Sequence, residues 1–466
     1  MKRIISFNEG LNAKYDENVL PIKYASMAYG FDYSSGALKL NKVLKDSSIL
    51  SSSVIEEIAE IDEIKRVYYF KKYDFDNDVS ADKLIIIDGE NSVHYINIYD
   101  NPQTLVSLGI SFNEVPVGTS YRLNSEDVFI FASSQDDMTV WDGVNSPEVI
   151  VDAPKITSMA VHYERLFVTT AGDKSELWFS DDLDPTNWNI SLADAGLIQM
   201  VDERGALRKV LSFNGYLYIF RDYGISRLSA SGGQESFYLS HLFTSSGRIY
   251  PETIALCGDR VIFVASDGIY SFDGLNTTKI LQGVYPILFG FDNSVACFYD
   301  GKYYLTCKAS YNDNSSDEYG DRALLIYSVK DKTEMIIRGE NILGLIAINS
   351  DNLSNLMILE MKNTPKLVEI ADFDESDNAS YTSFSGLFKH GLTDFNEPER
   401  YKTIRKVHLS SNKSASLKLF SEEDEITVNI LSGTGTYPCI LSGRKIGFAI
   451  SCDSVGAIIS DLAIEY

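Results

Sequence analysis

The chain is short of basic residues: 41 Lys and Arg stand against 66 Asp and Glu, leaving a formal net charge of −25. Non-specific affinity for nucleic acid comes mainly from basic side chains that displace condensed counterions. The deficit therefore excludes a general phosphate binder and disfavours an anionic membrane surface. Cysteine is scarce as well. Cys257, Cys297, Cys307, Cys439 and Cys452 form no CxxC pair and have no His at ligand spacing, which reads as reduced, buried thiols. With 11 prolines and 31 glycines in 466 residues, collagenous and low-complexity readings fall away. No run approaches the roughly 18 apolar residues of a membrane span. The stretch from Met1 to Glu9 lacks the apolar core of a signal peptide, so synthesis in the cytoplasm without secretion is expected.

Catalytic signatures are missing too. There is no G-x-S-x-G, HExxH, P-loop or Rossmann fingerprint, and His94, His162, His241, His390 and His408 are scattered. His94 and His408 lie in alternating strands and read as surface or satisfied positions. Glycoside hydrolysis would need two carboxyl groups held close with divergent pKa values, and 66 acids single out no such pair. The expectation is no catalytic residue, no cofactor site and no metal site. Two Asp-rich stretches, Asp181, Asp182 and Asp184, and Asp74, Asp76 and Asp78, place oxygens at alternate positions as calcium loops do. Neither continues with the Gly and terminal Glu of an EF-hand, so both read as Asx-rich turns.

What is present is apolar and aromatic: 44% hydrophobic residues, with 28 Tyr and 24 Phe, enough for one or two substantial cores. Val, Ile, Tyr and Phe fall in short runs cut by Asp-Gly, Asn-Gly and Gly-Asp pairs, an all-β pattern. The exception is Ser51 to Arg66, where Val54, Ile55, Ile58, Ile61 and Ile64 allow a short helix. Strong strands begin at Leu84, Val128, Leu166, Tyr216, Val261, Tyr303 and Leu356. Their mean spacing of roughly 45 residues is that of a four-stranded propeller blade. Phe213-Asn214-Gly215 before YLYIF and Gly258-Asp259-Arg260 before VIFVA read as hairpins whose turns need positive φ.

The expected fold is thus an all-β propeller of six to eight blades, residues 48–371, preceded by an N-terminal arm, 1–47. A C-terminal β-sandwich-like region, 372–466, follows the acidic run Asp372 to Asn378. The arm carries Tyr24, Met27, Tyr29, Phe31 and Tyr33, too apolar for a free tail, so docking is expected. The stretch Ser180 to Trp188 resembles the Asp-box turn of sialidase-type propellers, a structural feature in which an Asp and a Trp pin a hairpin. Here Asp184 replaces the Gly and the Trp lies one position further on. Trp141-Asp142 is a WD pair that does not recur at the blade period, which weighs against a WD or kelch scaffold.

Several phrases resemble one family, the propeller-bearing nozzle or tail tubular proteins of short-tailed phages, with packaged-DNA stabilisation proteins as relatives. They are Phe7-Asn8-Glu9-Gly10-Leu11-Asn12 with Leu20-Pro21 and Gly36-Ala37-Leu38, and Glu176-Leu177-Trp178-Phe179-Ser180 leading to Asp184-Pro185-Thr186-Asn187-Trp188. Gly258 to Phe263 with Asp267-Gly268-Ile269-Tyr270, Gly443 to Phe448 and Ile459 to Tyr466 complete the set. The resemblance implies a structural virion protein of the tail without an enzyme site. It would form a homo-oligomeric ring, usually a hexamer, around the DNA exit channel, contacting tail or portal-adaptor neighbours, with the genome passing unbound and no membrane insertion. Acidic walls would repel phosphates and avoid trapping DNA. The alternative is a glycan-binding or sialidase-like propeller acting on cell-surface carbohydrate, with a pocket at its axis.

Overall fold

The computed structural model describes residues 2–7, 9–75, 77–191, 194–311, 318–350, 353–376 and 380–466. Asn8 of the opening phrase, Asp76 of one Asp-rich stretch, and Asp377 and Asn378 of the acidic run lie outside these. The chain divides into two compact units: Ser47–Lys279 with Ile346–Leu367, and Met1–Asp46 with Ile280–Leu345 and Val368–Tyr466. These cuts differ from the division at 47 and 371, because 280–345 groups with the two ends of the chain.

In the first unit, consecutive four-stranded antiparallel meanders repeat. The first blade runs Ile64–Phe70, Lys83–Asp88, Ser92–Asn97 and Val106–Ser111, and the second Val117–Leu123, Glu126–Ala132, Met138–Trp141 and Glu148–Ile150. The third is Ile156–His162, Arg165–Thr170, Glu176–Phe179 and Gly196–Gln199, and the fourth Leu207–Phe213, Tyr216–Arg221, Gly224–Ser229 and Tyr238–Thr244. A fifth begins Ala255–Leu256, Val261–Ala265 and Gly268–Phe272. This is β-propeller architecture, and its logic lies in the second strand of each blade.

Second strands such as Arg165–Thr170 and Val261–Ala265 are buried along their whole length, whereas every residue of the outermost strands Glu148–Ile150 and Tyr238–Thr244 is half-buried or exposed. Side chains alternate across a strand, so one run serves two cores. Leu84 and Ile86 join Val54 and Ile58 of a helix, Ser52–Ala59, together with Met357 and Leu359. Ile85 and Ile87 join Phe129, Phe131 and Trp141 of the second blade. Ile130 then meets Leu166 and Val168, Phe167 meets Leu217 and Ile219, and Phe220 meets Val261 and Phe263. Each blade thereby stacks on the next through an apolar layer.

The helix is shorter than the 51–66 stretch that allowed it, since Ile64 already belongs to a strand. It is eight residues long, and no described helix is long and apolar enough to cross a membrane. Two-residue turns join first to second strands: Asn124 and Ser125 at φ 49° and 69°, Asn214 and Gly215 at φ 48° and 74°. Positive φ at both positions gives the hand of turn that matches strand twist.

In the second unit, Lys302–Ala309, Arg322–Ser328 and Glu334–Arg338 form part of a five-stranded sheet. The β-sandwich-like region contributes two further sheets of five strands. One orders Lys2–Ile4, Ala457–Glu465, Lys402–Ser411 and Gly433–Gly443, with Leu38–Leu40 also pairing 457–465. The other orders Met27–Tyr29, Gly386–Thr393, Ile446–Cys452, Ala415–Ser421 and Glu425–Ile430. The apolar N-terminal stretch is docked as strands within these sheets: Lys2 pairs Glu465, Leu38 pairs Ile459, and Met27 pairs Lys389. Lys42–Asp46 pairs with Val368–Asp372 in the same way.

Truncating a side chain in an inter-blade layer leaves a cavity in a core that cannot collapse. Phe167→Ala should destabilise the chain by about 3–5 kcal/mol, whereas Tyr238→Ser, at a residue 68% exposed, should change stability by no more than about 0.5 kcal/mol. Urea unfolding followed by tryptophan fluorescence checks this, since Trp141, Trp178 and Trp188 all lie among the blades. Equal effects of the two substitutions would contradict the layer account.

Candidate functional site

The inner strands of the blades converge on a polar cluster. Ile64–Phe70 and Leu207–Phe213 open alike, Ile-Lys-Arg-Val and Leu-Arg-Lys-Val, and each has a bulge after its first residue. A bulge re-aims the following side chain, and the residues beyond it here are Arg66 and Lys209. Both reach Glu252, in the short turn Pro251–Thr253 before the fifth blade, at 4.0 Å. Lys209 Nζ also donates to the Pro251 carbonyl at 3.0 Å, Arg66 Nη1 to the Tyr68 hydroxyl at 3.3 Å, and that hydroxyl to the Pro116 carbonyl at 2.6 Å. Arg66 belongs to the first blade and Glu252 leads into the fifth, so these blades curl around a shared axis on which their inner strands lie.

Beside the cluster is a depression of about 480 Å³ lined by Glu114, Ser133, Thr157, Lys174, Arg208 and Glu252 among others. Arg208 Nε is committed to Asp222 at 2.7 Å. Lys209 foremost, and then Arg66, holds the Glu252 carboxyl below the usual carboxylate range. The arrangement fixes charge and could receive a small polar group, and its lining contains no histidine and no cysteine.

The histidines stay apart. His94 Nε2 meets Asp88 at 2.9 Å, His241 pairs with Ser226, His390 with the Tyr24 carbonyl, and His408 with Thr436. His162 is buried, with Nδ1 at 2.9 Å from Ser212 Oγ, and burial pulls its pKa down to about 4. Among the described residues no cysteine forms a disulfide; Cys257, Cys307, Cys439 and Cys452 are buried whereas Cys297 is only half-buried, and burial pushes Cys257 and Cys307 up to about 12.

The Asp-rich stretches are occupied by their own turns. Asp181 accepts from Asn187 Nδ2 at 2.9 Å and from the Asp194 amide at 3.1 Å, while Asp184 accepts from the amide and hydroxyl of Thr186. Trp188 is buried in the layer between the second and third blades, so this hairpin is pinned as in the turn it resembles. Asp74 accepts from Asn77, and Asp78 from the Tyr73 hydroxyl. Among the described residues, no three or more His, Cys, Asp or Glu gather as a metal site.

Sequence reading did not single out Arg66, Tyr68, Lys209 or Glu252. The signal available was the shared opening of the two inner strands, visible only once blades are aligned on their first strands instead of their second.

No family model and no curated protein matches the chain. Among solved structures, BBS1N in complex with ARL6DN is 9% identical, covering 69% of this chain and 96% of that one at a TM-score of 0.41. YCF48 bound to D1 peptide is 12% identical, covering 67% and 92% at 0.39. The dihydro-heme d1 dehydrogenase NirN is 11% identical, covering 88% and 80% at 0.40. With scores this low, the blade architecture rests on the sheet order and inter-sheet layers described above.

Two pH effects follow. His162 binds its proton less readily folded than unfolded, so its contribution to stability is present above the ordinary pKa near 6.5 and is lost as pH falls from there towards about 4. His162→Asn should flatten thermal stability across that window, and an unchanged pH profile would count against it. Glu252 titrates lower folded than unfolded, so its contribution is present above its unfolded pKa and is lost as pH falls through the folded one. Because the pair is partly open to solvent, Glu252→Gln should cost only about 0.2–1 kcal/mol near neutral pH. The difference from the parent should shrink in acid, as melting curves at several pH values would show.

Proposed function

We propose that this chain is a structural virion protein of a phage tail, a nozzle or head-to-tail component that forms a ring around the DNA exit channel. The observation that carries the reading is that one of the opening phrases, Gly36-Ala37-Leu38, and the closing phrase meet in one sheet. Leu38 of Gly36-Ala37-Leu38 pairs Ile459, the first residue of the closing phrase. The stretch Ile459 to Tyr466 also takes Lys2 and Arg3 as cross-strand partners through Glu465 and Ile464. The interleaved ends tie one unit together and the doubly buried blades stiffen the other, and rigid parts of this kind suit assembly. The net charge of −25 fits a channel wall that repels phosphate and leaves no site for DNA to stall.

A second reading, a propeller that binds glycan, is favoured by one observation, the polar depression of about 480 Å³ beside the axial cluster. Negative-stain microscopy of the purified chain over a concentration series separates the two. Rings that accumulate with concentration are expected. A monomer at every concentration, whose melting temperature rises on adding sialic acid or oligosaccharide, would overturn the tail assignment in favour of the second.

A further inference from the structure

The outward face of the sheet built from 2–4, 457–465, 402–411 and 433–443 reverses the charge balance of the chain. A bulge between Ile404 and Lys406 leaves Arg405 and Lys406 both exposed. Lys2 and Lys406 lie on either side of Glu465. Lys2, Arg405 and Lys406 have no ionic partner within 4.0 Å among the described residues. The acids on this face are Glu465, 3.5 Å from His408, and Asp461. Among these cations stand apolar side chains in full contact with solvent, Ile4 at 76% and Ile440 at 77% exposure, with Pro438 beside Ile440. The strand Gly433–Gly443 is at one edge of the sheet.

A complementary surface lies elsewhere on the same region. The hairpin joining Ala415–Ser421 to Glu425–Ile430 carries Glu422, Glu423, Asp424 and Glu425, all exposed. Lys418 neutralises Glu425 at 2.7 Å, and Glu422 accepts only the neutral Lys445 amide, so among the described residues Glu422, Glu423 and Asp424 have no cation within 4.0 Å. Beside the hairpin is a groove of about 560 Å³, lined by Phe420, Ala449, the acids, and Lys389 and Lys418, which are paired with Glu17 and Glu425, the Lys389 ammonium lying 5.7 Å from the centre of the Phe420 ring.

We infer that these two surfaces are the two halves of one contact between copies of this chain. The Lys2, Arg405 and Lys406 face of one copy meets the 422–425 hairpin of the next, and Pro438 and Ile440 enter the groove over Phe420. Charge complementarity selects a second copy, because the acidic half and the basic half are both present on one chain. They are different surfaces, so the contact is heterologous and repeats head to tail, closing as a ring when the rotation permits. The inference rests on the ring reading above and assigns its interface.

The test uses two charge-reversed forms of the full chain, R405E/K406E and E423K/D424K, with circular dichroism to verify that each folds. Sedimentation velocity should show wild type assembling, each variant alone weakened about tenfold or more in self-association, and an equimolar mixture restored, since each variant then supplies the charge the other lost. Wild-type assembly should also weaken as salt is raised. If wild type and both variants assemble equally well, this interface is wrong while the ring reading stands. If wild type stays monomeric at its highest soluble concentration, both fall.

Discussion

The strand buried on both faces is the constraint from which the rest of this structure follows. In an ordinary half-exposed sheet, alternate residues face water and a register slip is the main hazard. Here Lys83–Asp88 sends Leu84 and Ile86 to one layer and Ile85 and Ile87 to another, so both faces are packed with apolar side chains and each blade needs a neighbour on both sides. A blade alone would expose two apolar faces. Successive blades are therefore mutually dependent, and the cross-axis approach of Arg66 to Glu252 shows them curling as they stack.

The two arginines buried inside this stack are each satisfied by several acceptors. Arg221 is fully buried, yet its guanidinium donates to the carbonyls of Met200 and Gly205 and to Asp202 at 2.7 Å. Arg165 is held likewise by the carbonyls of Ser180 and Asp194. Each closes the end of a second strand. An unpaired cation there would be costly to bury, whereas one with several acceptors fixes the loop beyond the strand. The axial cluster differs in being half open to water, and this is why it, and not the buried arginines, is the place where a partner or small polar group could be received.

Much of the blade unit was legible because double burial writes itself as uninterrupted apolar runs. LIIID, VFIFA, LFVTT, YLYIF and VIFVA each became a second strand, and Asn214-Gly215 became the turn its residues require. What was not legible depended on contacts between residues far apart in sequence. Nothing local in Lys2–Ile4 or Leu38–Leu40 says that both will pair with 457–465, so an arm was expected where strands of a C-terminal sheet stand. Nor does composition reveal that 280–345 groups with the chain ends. The axial residues escaped because inner strands, polar on one side, lack the hydrophobic signature that marks their neighbours.

Native-state hydrogen exchange tests the double-burial claim most directly. Amides of the second strands, such as 84–87, 129–131, 166–169 and 217–220, should exchange slowest and at one common free energy, since losing any blade exposes its neighbours. Protection in the outermost strands 106–111 and 148–150 should be far weaker. Blades that open one at a time at separate free energies, or outer strands protected as well as second strands, would contradict the account.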